Sequence, residues 1–508
     1  MSFVRNPWII LLAALALPPL GLLLLLAKPG TGWFKKLAGA VLILILGVAH
    51  LFLFYGLRLE QTGDNKPILS FYRPSSHYRA IEQSRAAAPA TPASAAPDPP
   101  PAASAAAPVP ESAAPAKPDA PAPSPAPAPA SWTAFRGPQS DGVYTGKPIR
   151  TDWQSHPPQL LWKLPVGGGY ASFVAANGRA FTIEQRRAQE VVAAYEIASG
   201  RELWSNAWPA EFKEWMGGDG PRATPTYHEG RVYAVGAFGE FRAIDAATGK
   251  TVWRRSLLED NGGANLQWGH SSSPLIAGGL VIAQSAQRVA AYDRATGAPA
   301  WKALDERQGY ASPVLLTLSG EPQVFLQTGS RAVALEPQTG KLLWSHPWPT
   351  AYDVNAAQPV VIGANRLFLS SGYDHGSALI EVTRDAAGYK AATLWQNKSM
   401  KNKFNSSVLH EGHIYGLDEG ILACVNAETG ERKWKGGRYG FGQILLANGH
   451  IVVLTESGEI ALVKATPDKH EEVARIEAIS GKTWNYPILD EGRLLVRNTT
   501  EMACFRLD

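Results

Sequence analysis

The sequence predicts an all-β protein: an eight-bladed β-propeller of four-stranded antiparallel blades, preceded by two transmembrane helices and a disordered Pro/Ala-rich linker. Three observations carry that reading. The 508-residue chain is rich in glycine (48), proline (39) and tryptophan (16), which suits turn-dense β repeats better than helical domains. Two apolar runs of about 20 residues each stand near the N-terminus, ahead of a segment of almost pure Ala, Pro and Ser. From Trp132 to Asp508 one hairpin pattern then recurs at blade-sized intervals.

A chain of 508 residues exceeds one ordinary core, so a repeat array or several domains is expected. The formal net charge is +4 and no dense basic run occurs, which argues against nucleic acid as a partner. Two cysteines, Cys424 and Cys504, exclude a disulfide-dense scaffold and a Cys-based zinc cluster, and neither stands where an N-terminal lipid would attach.

Residues 1–58 hold the two candidate spans. Trp8 to Ala27 is apolar throughout, with Pro18 and Pro19 inside it, and Leu37 to Leu57 is apolar apart from His50. Each is long enough to cross a hydrocarbon core of about 30 Å. The competing reading of the first run is a cleaved signal peptide. That would need a shorter apolar run followed by a small-x-small cleavage site. Lys28, Lys35 and Lys36 lie between the runs, against Arg5 alone ahead of them. The excess of cytoplasmic Lys and Arg then puts this short loop inside and both tails outside. Arg58, Lys66 and Arg73 narrow the margin. Residues 59–84 read as a juxtamembrane segment and 85–131 as the linker, in which Val109 is the one large apolar side chain. Such a segment cannot form a core. In extended polyproline II form, at about 3.1 Å per residue, it spans roughly 140 Å.

The repeat reads AYEIASGRELW (Ala194 to Trp204), AIDAATGKTVW (Ala243 to Trp253), AYDRATGAPAW (Ala291 to Trp301), ALEPQTGKLLW (Ala334 to Trp344) and CVNAETGERKW (Cys424 to Trp434). Each is a β-run, a Thr-Gly or Ser-Gly turn, and a second run ending on tryptophan. Glycine supplies the positive φ of a tight turn, and the acidic or Asn residue four positions earlier can accept from the turn's backbone. A second hairpin precedes it, as in TYHEGRVYAV (Thr226 to Val235), VLHEGHIYGL (Val408 to Leu417) and ILDEGRLLVR (Ile488 to Arg497). Two hairpins per unit make one four-stranded blade. The anchor tryptophans are Trp162, Trp204, Trp253, Trp301, Trp344, Trp395 and Trp434, with a worn outer strand around Val473 to Ile476. Trp162 has no inner strands before it, and the terminal ACFRLD (Ala503 to Asp508) has no outer strand after it. Pairing the two closes a ring of eight.

This repeat, with the lead-in WTAFRGPQSDG (Trp132 to Gly142), resembles the PQQ-binding-like β-propeller shared by quinoprotein alcohol dehydrogenases and the BamB-like assembly proteins. The resemblance covers residues 132–508. It implies either of two functions. One is a non-enzymatic scaffold with no cofactor, holding an envelope or membrane protein partner. The other is a quinoprotein dehydrogenase using PQQ with calcium. Adjacent cysteines and a Cys-x-x-Cys-His haem motif, found in many alcohol-oxidising members, are absent here. The scaffold is the leading expectation, in a bacterial inner membrane with the propeller in the periplasm.

Candidate residues follow from position. His410-Glu411-Gly412-His413 has donors that suit zinc, but the same hairpin turn recurs as Glu229-Gly230 and Glu491-Gly492, so no metal is expected there. The segments heading each innermost strand ring the channel mouth. They give Arg222, Trp268, His270, Asn355, Gln358, Asn405, Gln443, Trp484 and Asn485 as candidates for grip on a polar ligand or a peptide, with Arg222 foremost. The competing reading is a solvated channel lining. The long connection from Ser205 to Ala223 adds Trp208 and Trp215 as rim aromatics, either for recognition or for packing over the blade edge.

Overall fold

In the computed structural model, which describes residues 10–11, 13–14, 17–71, 74–86 and 131–508, every repeat folds into an antiparallel blade. Blade 1 comprises Val174–Ala176, Arg179–Arg186, Gln189–Glu196 and Glu202–Pro209, in that order from the inside out. Blades 2 to 7 follow in residues 226–256, 275–303, 314–347, 360–397, 408–438 and 443–477. Blade 8 takes its inner three strands from Ile488–Asp490, Arg493–Arg497 and Glu501–Arg506. Its outer strand is Gln159–Pro165, from the start of the domain. The ring of eight and its closure are as expected.

The tryptophan register repeats with little variation. Trp204 faces Ala194 across the outer pair of strands, Trp253 faces Ala243, Trp301 faces Ala291, and Trp162 faces Cys504 in the closing blade. A bulge follows this position in each of these pairs and gives the local twist that lets blades nest. The indole N–H then reaches the next blade: Trp162 donates to Ile197 O, Trp204 to Ala246 O, and Trp253 to Arg294 O, at 2.9–3.1 Å. Trp344 departs from this and donates to Gln323 Oε1 in its own blade.

The indoles of Trp162, Trp204, Trp253, Trp301 and Trp395 each lie against the turn glycine of the following blade, so that glycine answers two demands. Gly297 has φ 74°, and a Cβ there would lie 2.7 Å from Trp253 Cδ2. Its Asp293 accepts from Thr296 N–H at 2.8 Å, as the turn chemistry anticipates. Gly297→Ala should therefore destabilise the domain by about 2 kcal/mol, from left-handed strain plus overpacking. Urea titration of the two chains checks this, and an unchanged midpoint would refute the double role of the glycine.

Blade 7 lacks the tryptophan, and Ala474 takes its place opposite Leu462. The lead-in repairs the gap. Buried Trp153 and Ile149 join the cluster against which Val473, Ala474 and Ile476 pack, while Gln154 Nε2 donates to Val473 O at 2.9 Å. The preceding Val143–Tyr144 pairs in parallel with Leu446 and Ala447 of blade 7. Earlier still, Trp132 O and Thr133 O accept from Ala175 and Tyr227 N–H on the innermost strands of blades 1 and 2. The lead-in thus crosses the channel at the end remote from the strand heads. Arg136 enters the interior there and donates to Ser407 O at 2.6 Å.

Ahead of the propeller, the helices are Pro18–Ala27 and Trp33–Tyr55. Among the described residues one stretch, Trp33–Phe52, is long and apolar enough to cross a membrane, with a mean hydropathy of 1.8. Much of the first expected span lies outside the described residues. The second helix starts before the last lysines rather than after them, because Gly30 and Gly32 break the chain ahead of Trp33. Lys35 and Lys36 consequently sit in its first turn, and Lys36 Nζ caps the first helix at Leu26 O, 2.6 Å away. Residues 59–84 carry more structure than expected. Leu57–Gln61 and Pro67–Phe71 form a hairpin, and Pro74–Ala86 is a helix. Residues 87–130, most of the expected linker, lie outside the described residues.

Candidate functional site

The polar side chains at the strand heads spend their hydrogen bonds mainly on the backbone of neighbouring blades. Ser172 Oγ donates to Tyr486 O at 2.5 Å, Thr226 Oγ1 to Pro274 O at 2.6 Å, and Ser272 Oγ to Ala311 O at 3.1 Å. Asn355, fully buried, donates to Thr328 O and accepts from Ser371 Oγ at 3.0 Å. Gln358, with its amide in the orientation that satisfies both atoms, pairs with the Ser312 backbone at 2.8 and 3.0 Å. Asn485 donates to Ala171 O at 2.9 Å and Gln443 to Trp484 O at 2.9 Å, each joining one blade to another. Asn405 accepts from Asn402 at 3.0 Å. These residues form a floor of cross-blade amides. A few atoms remain unpartnered within it, namely Asn405 Nδ2, Gln443 Oε1 and Asn485 Oδ1.

Above that floor stands a rim that composition did not single out. Tyr170 and Trp484 lie 5.2 Å apart by ring centroid, Trp484 and Phe404 4.7 Å, and Phe404 and Phe441 5.7 Å. Trp268 and Tyr310 make a further pair at 5.2 Å. Cations interleave the rings. Lys482 Nζ is 4.3 Å from the Trp484 centroid, Lys403 Nζ is 4.7 Å from Tyr373, and the Arg222 guanidinium is 5.3 Å from Tyr170. Aromatic faces stabilise such cations, more so where water is thinned. Burial lowers the pKa of both Lys403 and Lys482. Glu456 is the carboxylate among them. It accepts from Trp484 Nε1 at 2.8 Å and from Phe441 N–H at 3.1 Å.

Of the residues expected at the mouth, Trp268 and Trp484 join the rim, while Asn355, Gln358, Asn405, Gln443 and Asn485 make the floor. Arg222 is committed internally. Its two terminal nitrogens donate to Gly220 O and Gly218 O at 2.9 and 2.8 Å, and Glu214 lies 3.9 Å away. It clasps the glycine-rich loop and shows the mouth an aromatic-stacked edge. His270 turns aside toward Ala237 O, 3.4 Å from Nδ1, and burial pushes its pKa down to about 4. Trp208 is not on a loop: the outer strand of blade 1 runs to Pro209, and Trp208 is buried with its N–H on Glu190 at 3.0 Å. Trp215 is 75% exposed, as a rim aromatic should be. His410 and His413 face each other across their hairpin turn, and among the described residues no cluster of His, Cys, Asp or Glu could hold a metal ion.

The amide floor and the aromatic, cationic mouth sit within a ring of eight four-stranded blades. A family profile described as outer membrane protein assembly factor BamB matches residues 188–436, and the propeller belongs to the PQQ-like β-propeller repeat family. Solved structures share the fold. BamB from Moraxella catarrhalis superposes with a TM-score of 0.52 at 15% identity, covering 69% of this chain and 99% of that one. Quinohemoprotein alcohol dehydrogenase from Comamonas testosteroni gives 0.54 at 12%, covering 74% and 80%. The computationally designed Ika8 protein gives 0.51 at 9%, covering 68% and 99%. At such identities the likeness speaks for fold alone. No curated protein matches the chain.

PQQ with calcium would need carboxylate ligands at the mouth. The carboxylates there are Glu456, occupied as above, Glu214, which accepts from the Met216 and Gly217 N–H groups, Asp219, which accepts from Glu214 N–H, and Glu60 on the hairpin. Among the described residues no group of three or more His, Cys, Asp or Glu could hold a metal ion. Calcium needs six to eight oxygen ligands, several of them usually carboxylate. The residues present do not fit that demand.

Proposed function

We propose that the chain is a membrane-anchored, extracytoplasmic scaffold that holds a protein partner at the propeller mouth without catalysing a reaction. The helix Trp33–Tyr55 anchors it, in a bacterial inner membrane with the propeller in the periplasm, and envelope assembly is the nearest family analogy. One observation carries the reading. The mouth is an aromatic and cationic rim over a floor of amides bonded across the blades. Tryptophan, tyrosine and arginine are the side chains that most often anchor protein interfaces.

Affinity capture from detergent-solubilised membranes tests it. Trp484→Ala should lower partner recovery at least tenfold, while Trp208→Phe, buried in blade 1, leaves recovery unchanged. A tenfold loss corresponds to about 1.4 kcal/mol, modest for a buried interface tryptophan. Recovery indifferent to Trp484 would remove the mouth as the partner site. Growth of a quinone absorption band on adding PQQ and calcium to purified protein would instead favour the dehydrogenase reading.

A further inference from the structure

The mouth already has an occupant. The hairpin of residues 57–71 points its turn into the rim. Gly63 N–H donates to Glu456 Oε1 at 2.7 Å, and Lys403 Nζ donates to Gly63 O at 2.5 Å. Gly63 itself is buried, and a Cβ there would overlap the Phe441 ring. Asp64, next in the chain, lies in the field of Lys403 and pairs with Lys66 at 2.6 Å. The turn is locally built: Thr62 N–H donates to Lys66 O at 2.9 Å, and Asn65 takes φ 62°, a left-handed value that asparagine tolerates.

The helix Pro74–Ala86 fastens the other side. His77 Nε2 is 2.8 Å from Val166 O, Arg187 pairs with Glu82 at 2.9 Å, and Arg85 pairs with Glu202. Hairpin and helix roof a cleft of about 1300 Å³ over blades 8 and 1 and the connection that follows blade 1, lined by Tyr170 and Lys482 among others.

The selectivity of this contact can be read from its parts. Glu456 wants a backbone N–H, Lys403 wants a carbonyl, Phe441 tolerates only a residue without a side chain, and the lysine field favours a carboxylate beside it. We propose that the mouth is a receptor for an acidic, glycine-led β-turn, with the chain's own Thr62–Lys66 turn as its resident occupant. A protein partner would enter by presenting a turn of the same chemistry and displacing the resident one. This inference rests on the mouth being the partner site. The resident turn has the advantage of tethering, equivalent to a local concentration of order millimolar. A partner therefore needs further contacts, and exposed Trp215 beside the cleft offers one.

The test uses the full chain in detergent micelles and, as probe, a cyclised fluorescent peptide of residues 57–71. Hydrogen exchange should find the Gly63 amide protected in the wild type and at least tenfold faster in Glu456→Ala. Gly63→Val expels the resident turn without touching the propeller, so this chain should bind the probe at least tenfold more tightly than the wild type. Adding Lys403→Met should reverse the gain. Equal probe binding by wild type and Gly63→Val overturns the occupancy, and no binding by Gly63→Val overturns the receptor. If Gly63 is unprotected while Trp484→Ala still abolishes partner capture, this inference falls and the functional reading stands. A protected Gly63 with capture indifferent to Trp484 gives the converse.

Discussion

Removal of Ala503–Asp508 should leave a chain that cannot close its ring and aggregates on expression. Glu501–Arg506 is an inner strand of blade 8, paired on one side with Arg493–Arg497 and on the other with Gln159–Pro165. Ala503, Cys504, Phe505 and Leu507 on it are all buried. Their loss strips an apolar layer from the cluster shared by blades 7, 8 and 1 and bares two sheet edges at once, a template for intermolecular pairing. A milder version grades the effect: Phe505→Ala should cost about 3–4 kcal/mol. Soluble truncated protein that melts at the wild-type temperature would overturn the closure.

Glu184→Ala should be the most damaging single substitution of a charged residue. Glu184 is fully buried in blade 1, bonded to Tyr195 Oη at 2.7 Å and to Arg186, which also pairs with Glu202 at 2.7 Å. Arg497, equally buried, donates to Thr182 Oγ1 and Gly167 O at 2.6 and 2.8 Å and relies on Glu184 for charge balance. Deleting the carboxylate leaves Arg497 without its nearest counter-charge and Arg186 with Glu202 alone, at about 3–5 kcal/mol. Glu184 is pulled in opposite directions: burial raises its pKa, and Arg186 with Arg497 more than offsets this, leaving it below the usual carboxylate value. A lowered folded pKa means stability that is fully present above about pH 4.5, the unfolded value, and is lost as pH falls through the folded one. Denaturant titration between pH 3 and 7 should therefore show the wild-type advantage over Glu184→Ala shrinking toward the acid end. A pH-independent gap would count against the network.

The fold was legible because its signals are local and repeated. A tryptophan, a turn glycine and an acidic or Asn residue four positions before it recur together, and each does a fixed job at a blade or its border. Ring closure could be inferred from the unmatched ends, Trp162 and Ala503 to Asp508. The site was less legible. Serine, asparagine and glutamine at a strand head carry the same donors whether they meet a ligand or the next blade, and only the geometry of Asn355 or Asn485 shows that they meet the next blade. Arg222 illustrates the same ambiguity: its fork of donors suits a carboxylate and also the carbonyls of Gly218 and Gly220, and the carbonyls are nearer. Lys403, Phe441 and Glu456 each stand beside a glycine or a strand head without any motif, so only the three-dimensional ring marks them. The hairpin did leave a trace, since Thr62-Gly63-Asp64-Asn65 lies between LRLEQ and PILSF, but charges after an apolar run also read as an ordinary membrane border. Trp153 had no repeat partner, and its role emerges only beside the missing tryptophan of blade 7.

The order in which the N-terminal segments meet the propeller also has a mechanical side. A pull on the apolar helices loads the hairpin first, and its small set of contacts at the rim is the weakest link in the series. The helix Pro74–Ala86 yields next, through surface ion pairs that each contribute little. The force arrives last at Trp132 and the lead-in, whose Trp153 packs beside the outer strand of blade 7. Tension on these segments would thus uncover the mouth well before it threatened the ring, so the N-terminal contacts would act as a fuse.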